Sequence, residues 1–233
     1  MAEHTNEIKP IAIPGIHDKF YSYLKSHLVA FDNPLIIDMG AGHGYLVKKL
    51  HEQNFNVHAA DLFPEYYYYD KVPCLKTDIT KNLPFENNTY DIIIAVEVME
   101  HISDHELFFN EAYRILKKGG LLFFTTPNIL SLKSRFQFLL SGFFYSFSPI
   151  DNSKNDGLQH VSSLTFDQYK YIALKANFES IDYAFDKRQN TSLYLLLFKP
   201  LIWLYCKLKA IDLNPHNSFD FLTGRILFVK LMK

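Results

Sequence analysis

The chain has 233 residues, 48% of them hydrophobic and 21% charged, a balance that excludes wholesale disorder. Its 24 basic and 25 acidic residues leave a formal charge of −1, which argues against nucleic acid held mainly through its phosphates. The two cysteines, Cys74 and Cys206, make no disulfide framework, and a chain of this length can bury a core without one.

Residues 1–10 lack the apolar stretch of a secretory signal, and no run of about 18 apolar residues follows. The nearest, 191–206, is interrupted by Lys199 and Pro200, so the expected address is cytoplasmic. A helical lead-in is predicted over 17–30. Apolar runs suited to buried parallel strands recur at 35–37, 56–60, 74–77, 90–96 and 121–125. Helix-period segments lie between them at 44–53 and 103–118. In the second, Ser103 and Glu106 form a capping-box pattern, Leu107, Phe108, Ala112, Ile115 and Leu116 share a face, and 117–120 (Lys-Lys-Gly-Gly) closes it. Strands alternating with helices give an α/β sheet with helices on both faces. Residues 128–149 carry six aromatics, Lys133, Arg135 and no acid, and a polar loop follows at 151–157. Thr165 and Gln168 then cap a predicted helix with Tyr169, Ile172, Ala173 and Ala176 on its apolar face and Asn177 at its C-cap. Strands are predicted over 178–185 and 225–232.

The stretch 35–44 reads Leu-Ile-Ile-Asp-Met-Gly-Ala-Gly-His-Gly, a buried strand entering a glycine turn and then a helix. Such a turn can serve a dinucleotide, serve another adenosine cofactor, or only join strand to helix. Asp38 stands before the glycines, where an anion would repel a pyrophosphate but can organise the loop near a cationic ligand. Asp61 and Asp78 end the next two strands, placed for ribose hydroxyls and an adenine amino group. Each aspartate can also be a plain helix cap or turn residue. Three at successive strand ends facing one crevice favour a ligand, because open α/β sheets bind ligands at those ends.

Those segments, with Leu-Pro-Phe at 83–85, Tyr-Asp-Ile-Ile-Ile-Ala-Val-Glu-Val-Met-Glu-His-Ile at 90–102 and Arg-Ile-Leu-Lys-Lys-Gly-Gly-Leu-Leu-Phe-Phe-Thr-Thr-Pro-Asn at 114–128, resemble class I S-adenosylmethionine-dependent methyltransferases. Within them the small bacterial type 11 group is most similar. The resemblance is close over 35–128, resumes over 160–179, and leaves out 186–224. It implies a Rossmann-like seven-stranded sheet with helices on both faces, the last strand antiparallel, and a helical lid insertion. The single domain, 1–233, would comprise a lead-in (1–33), a cofactor-binding half (34–127), the lid (128–160) and a C-terminal half (161–233) holding an apolar helical insertion (186–224). S-adenosyl-L-methionine would lie across the glycine turn, with Asp38, Gly40 and Gly42 at its methionine part, Asp61 at the ribose, Asp78 and Ile79 at the adenine, and Glu97 on its border. The alternative, an NAD-dependent oxidoreductase, asks for a further glycine shortly after Gly44, and none follows there.

If residues 97–101 form a helical turn, Glu97, Glu100 and His101 fall three and four apart on one face and could hold a divalent ion. Ubiquinone-pathway O-methyltransferases and small-RNA 2′-O-methyltransferases are similar here and use such a set with magnesium, the latter with a further histidine, for which His160 stands at a suitable interval. A Mg2+ site of Glu97, Glu100, His101 and His160, and with it a small-RNA-type metal-dependent enzyme, is therefore one expectation. The other is an ion-free site in which Glu97 borders the cofactor and His101 caps a turn or faces the acceptor. For a hydroxyl acceptor, His101 is the first candidate for general base and His160 the second. His43 and His105 are expected to be solvated.

Residues 192–209 are apolar and aromatic with flanking lysines, and 199–233 holds six cations and two anions. Such helices can lie in a bilayer surface, or 128–149 and 192–209 can pack on each other as a lid core. The expected acceptor is a small-molecule, glycan or lipid-linked hydroxyl, with peripheral membrane contact through 128–149 and 192–209.

Overall fold

The structure, a computed structural model, describes residues 8–154 and 157–233. The chain runs α1 (Ile16–Leu28), β1 (Leu35–Met39), α2 (Tyr45–His51), β2 (Asn56–Asp61), β3 (Cys74–Lys76), β4 (Tyr90–Ala95), α3 (His105–Ile115), β5 (Leu116–Pro127), α4 (Leu132–Ser141), α5 (Phe166–Lys175), β6 (Ser180–Phe185), α6 (Asn190–Leu195), α7 (Lys199–Leu208), α8 (Phe219–Thr223) and β7 (Ile226–Met232). The strands form one sheet in the order β3-β2-β1-β4-β5-β7-β6. All neighbours are parallel except the last strand, β7, which runs antiparallel to β5 and β6. This is the expected Rossmann-like arrangement. The order reverses between β1 and β4, so a crevice opens at their carboxyl ends.

Successive strand side chains point to opposite faces, and the sheet accordingly separates two cores. Ile37, Met39, Ile93, Ala95, Leu122 and Phe124 pack with Phe108, Phe109 and Tyr169 from α3 and α5. Ile36, Ile92, Ile94, Leu121 and Phe123 face α1 and α2. Phe20 of α1 meets Phe123 and Phe228 edge-on, with centroids 6.4 and 5.6 Å away. Burial of one such phenylalanine is worth about 1.5–3 kcal/mol, so the lead-in helix is part of the core.

Two local expectations are corrected. The helix predicted over 103–118 spans His105–Ile115, and its N-cap is Asp104, whose carboxylate accepts from Leu107 N–H at 2.9 Å; Ser103 lies outside. The 117–120 segment does not close that helix. It belongs to β5, where the register slips between Tyr90↔Leu116 and Ile92↔Leu121, and Gly119 takes φ 75°. A bulge there lets the strand start five residues early. The capping box of Thr165 and Gln168 is complete, and Asn177 adopts φ 70° just past α5.

Beyond β5, Asn128 is buried and binds the far end of the chain: its Nδ2 donates to the carbonyls of Phe221 and Gly224, both at 2.8 Å. α4, capped by Ser131 and ended by Gly142, packs against α6. The insertions are thus anchored beside the crevice.

Candidate functional site

The glycine turn is built by backbone donors converging on the end of β2. Gly40 and Ala41 N–H both donate to the Ala60 carbonyl, at 2.8 and 3.2 Å. Asp61 Oδ2 accepts from Gly42 N–H and Oδ1 from Phe63 N–H, both at 2.8 Å. Gly40 has φ 83°, and a Cβ there would lie 2.5 Å from Val98 Cγ2 in the loop after β4. Only glycine fits that approach.

Asp38 is buried at the end of β1, and burial, followed by the charge of Asp61, pushes its carboxyl up to about 7. An isolated carboxylate in such a place needs a cation to stay ionised. Asp78 is a more local residue. Its Oδ1 accepts from Thr80 N–H and Oγ1 at 3.0 and 2.6 Å, Lys81 approaches to 3.1 Å, and these bonds hold its pKa below the usual range. Ile79 is half-buried against the α3–α5 core. The structure brings Asp38, Gly40, Gly42 and Asp61 to one crevice mouth. It gives Asp78 a turn-forming role beside that mouth.

Two features of this mouth were not read from the sequence. Tyr67, in the loop after β2, lies against the turn: a Cβ on Gly44 would meet its ring at 2.7 Å. Its hydroxyl is buried without a hydrogen-bond partner, and burial, then Cys74 and Asp38, raise its pKa. The signal was an aromatic run directly after a strand-end aspartate. Ile11 lies over the turn as well, 3.0 Å from where a Cβ on Gly42 would stand, and His43 Nδ1 is 2.9 Å from the Lys9 carbonyl. His43 also lies against Tyr68, with ring centroids 4.8 Å apart and planes tilted by 36°, so it is held, not merely solvated. A separate cavity of about 720 Å³ lies along the β2–β3 edge, lined by His58, Val72, Cys74 and Phe85, and has none of these carboxylates.

The loop after β4 does not form the helical turn expected from Glu97. Glu97 takes φ 53°, and only Met99–His101 makes a 3-10 turn. The left-handed residue breaks the helical spacing, so Glu97 parts from its neighbours and bonds Thr125 on β5. Burial lifts its carboxyl to about 7, opposed by the Thr125 bond, raised by Asp186 and lowered by Arg225. Asp186 is a fourth strand-end carboxylate, after β6, and was also missed. Its side chain is fully buried, accepts from Arg225 and from Ile226 N–H, and sits in a pair whose partners are 39 positions apart.

Glu100, His101 and His160 do come together, with ligand atoms within 4.8 Å of one another; Glu97 is outside this set. Glu100 is 1% exposed, and neither carboxylate oxygen has a partner in hydrogen-bonding geometry, although Thr126 is near enough to offset part of the rise in its pKa. Burial and then the Glu97 charge raise its pKa well above the ordinary range. His101 Nδ1 is 3.0 Å from the Gln159 carbonyl. That oxygen can only accept, so Nδ1 carries a proton, and in the neutral ring the lone pair lies on Nε2. The rings of His101 and His160 are 4.8 Å apart, and burial with His101 lowers the His160 pKa to about 4. His105 is buried, with Nε2 2.9 Å from the Met99 carbonyl, contrary to the expected solvation.

A family model described as a methyltransferase domain matches residues 18–183. The ubiquinone biosynthesis O-methyltransferase of Bartonella tribocorum is 30% identical over 109 residues, 43% of this chain and 44% of that protein, so the chain spans less than half its length. Its namesake from Aliivibrio fischeri is 26% identical over 189 residues, 77% of this chain and 74% of that one. Among solved structures, a SAM-dependent methyltransferase from Archaeoglobus fulgidus superposes with TM-score 0.63 at 15% identity, covering 94% of this chain and 95% of that one. Haemonchus contortus phosphoethanolamine N-methyltransferase 2, solved with S-adenosyl-L-methionine, gives 0.54 at 14% identity over 96% of this chain and 54% of that one. At these identities the structural likeness is one of fold.

Proposed function

Since the chain belongs to the methyltransferase-domain family, we propose that it transfers the methyl group of S-adenosyl-L-methionine to a hydroxyl of a small acceptor. The observation that carries this is the meeting of Asp38, the glycine turn and Asp61 at the switch between β1 and β4. The buried Asp38 carboxyl fits a cationic ligand, and the turn leaves no side chain between ligand and backbone. Family membership removes the nicotinamide-dependent reading.

Bound there, S-adenosyl-L-methionine supplies a sulfonium methyl for in-line attack. Gly40 and Gly42 let the backbone lie against its methionine part, with Asp38 as counter-ion. Each Asp61 oxygen keeps a second lone pair, which accepts from the ribose hydroxyls. Asp78 and Ile79 border the adenine, and Glu97 borders the reacting end. Placing the two reactants at attack distance can lower the barrier by about 7–11 kcal/mol. His101, through Nε2, takes the acceptor proton, which adds typically 10²–10⁴-fold; His160, its own pKa lowered by burial, lies against it and orients it. Attack by oxygen is favoured because the curated relatives are O-methyltransferases by name. Isothermal titration with S-adenosylhomocysteine, followed by mass analysis of candidate phenols and polyols incubated with the cofactor, tests the reading. Tight NAD binding and no S-adenosylhomocysteine binding would overturn it.

A second reading is favoured by the two unpartnered Glu100 oxygens: a divalent ion held by Glu100, His101 and His160. One carboxylate and two imidazoles suit Mn2+, Fe2+ or Zn2+ better than Mg2+, which prefers oxygen alone. The Gln159 carbonyl would serve as the outer partner that fixes His101 for ligation. An ion there would lower the pKa of a bound acceptor hydroxyl.

A further inference from the structure

Asn190–Leu208 forms one helical rod of 19 residues, made of α6, a 3-10 turn at Leu196–Phe198 and α7, and little of it is buried. One side is fastened to the body near both ends. Ser192 is buried and its Oγ accepts from Lys133 N–H at 3.0 Å; Phe198 packs on Phe136 with centroids 4.9 Å apart; Cys206 is buried. By length and composition this rod is apolar enough to cross a membrane, but fastened in this way it lies along the protein. The other side carries Tyr194, Leu197, Leu201, Leu204 and Leu208, spaced three, four, three and four apart and between 47 and 79% exposed. That spacing is one continuous stripe. A helix turned to water would hold charges there. On neighbouring α4, Leu139 and Leu140 are exposed too.

Charge selects the occupant. Residues 128–149 and 190–209 hold five cations, and all 25 acids lie elsewhere in the chain. Arg135 is engaged by the carbonyls of Leu130 and His216 and by Asn217, and Lys133 lies over the Tyr145 ring at 3.6 Å. Lys207 and Lys209 are exposed on either flank of the stripe and Lys199 is exposed at the start of α7, Lys207 lying 4.9 Å over the ring of exposed Trp203. A second copy docking on a two-fold axis would set these lysines against one another. An anionic bilayer instead meets both the stripe and its lysine frame, with Trp203 and Tyr205 at headgroup depth. We propose that α4, α6 and α7 form a membrane-docking face that lays this stripe into the headgroup region of a bilayer containing anionic lipid.

Trp203 is the only tryptophan of the chain, so its emission reports on this face alone. With vesicles of equimolar phosphatidylcholine and phosphatidylglycerol, the full chain should co-sediment, its emission should shift to the blue, and acyl-brominated lipid should quench it. Leu197→Ser with Leu201→Ser and Leu204→Ser should keep the melting temperature and remain in the supernatant. Lys199→Ala with Lys207→Ala and Lys209→Ala should lower partitioning about a hundredfold, at the usual contribution per lysine near an anionic surface. Wild-type protein that stays in the supernatant with these vesicles at low salt overturns the proposal. So does a blue shift that grows with protein concentration and resists brominated lipid, which would assign the face to a second copy.

Discussion

Glu97 and Thr125 close a two-bond ring between the ends of β4 and β5. The Glu97 N–H donates to Thr125 Oγ1 at 2.9 Å, and that hydroxyl donates on to Glu97 Oε1 at 2.7 Å. One threonine therefore stabilises a non-glycine residue at positive φ and fixes its carboxyl at the crevice. Thr125→Val should destabilise the fold by about 1–3 kcal/mol, because a part-buried N–H loses its acceptor. Thr125→Ser should restore most of this in urea denaturation. Equal stability of the valine variant and wild type would deny the ring its role.

Asp61 accepts from the Gly42 and Phe63 backbone, and the proposed function gives it the ribose as a second donor. Asp61→Ala should weaken S-adenosylhomocysteine binding by about 1–3 kcal/mol and also lower the melting temperature of the ligand-free protein. Calorimetric titration and thermal denaturation of the same samples read the two losses separately. A variant that binds as wild type does sinks the assignment.

Asp38 links pH to both stability and affinity. Its folded pKa, about 7, is raised above the unfolded carboxyl value, so the native state holds a proton that the unfolded state has lost. Its share of stability is complete in acid, falls as pH rises from the ordinary carboxyl range toward 7, and is level above that. Asp38→Asn should gain on wild type across that window and no further. A cationic ligand draws out the ionised form, so cofactor binding near pH 6.5 should release protons and tighten as pH rises toward 8. Titration in two buffers of different ionisation enthalpy measures the release. No buffer dependence, or uptake, would remove Asp38 as counter-ion.

The cation reading stands or falls on Glu100. Manganese should raise the melting temperature of wild type and leave Glu100→Ala unmoved, and chelator should reduce turnover until manganese is restored. Full turnover in excess chelator would return Glu100, His101 and His160 to ion-free roles.

The strand-end aspartates 38 and 61 could be placed from the sequence because β1 and β2 are short apolar runs stopped by a glycine turn or a polar loop, and such runs have one way to sit in a parallel sheet. Asp186 is also a strand-end carboxylate, but no glycine turn follows it and its partner, Arg225, comes from the other end of an insertion. The Glu97–Glu100–His101 spacing suggested one helical face. A single positive φ at Glu97, invisible in composition, split it. Asp104 replaced Ser103 as cap because both side chains suit that role and only packing chooses between them. In Asn190–Leu208 the sequence revealed apolar periodicity and lysines. Which of two apolar sides met the body was a question of tertiary contact.

The sheet also works as a wall between two rooms. Ile36 and Ile37 are joined by one peptide bond, yet the first looks toward α1 and α2 and the second toward α3 and α5. Their methyl resonances are therefore independent gauges of the two layers. Loosening of the lead-in helix should move the Ile36 signal and spare Ile37, while rearrangement beneath Glu100 and Tyr169 should do the reverse. A ligand seated at the end of β1, where both rooms share a threshold, is the one event expected to move them together.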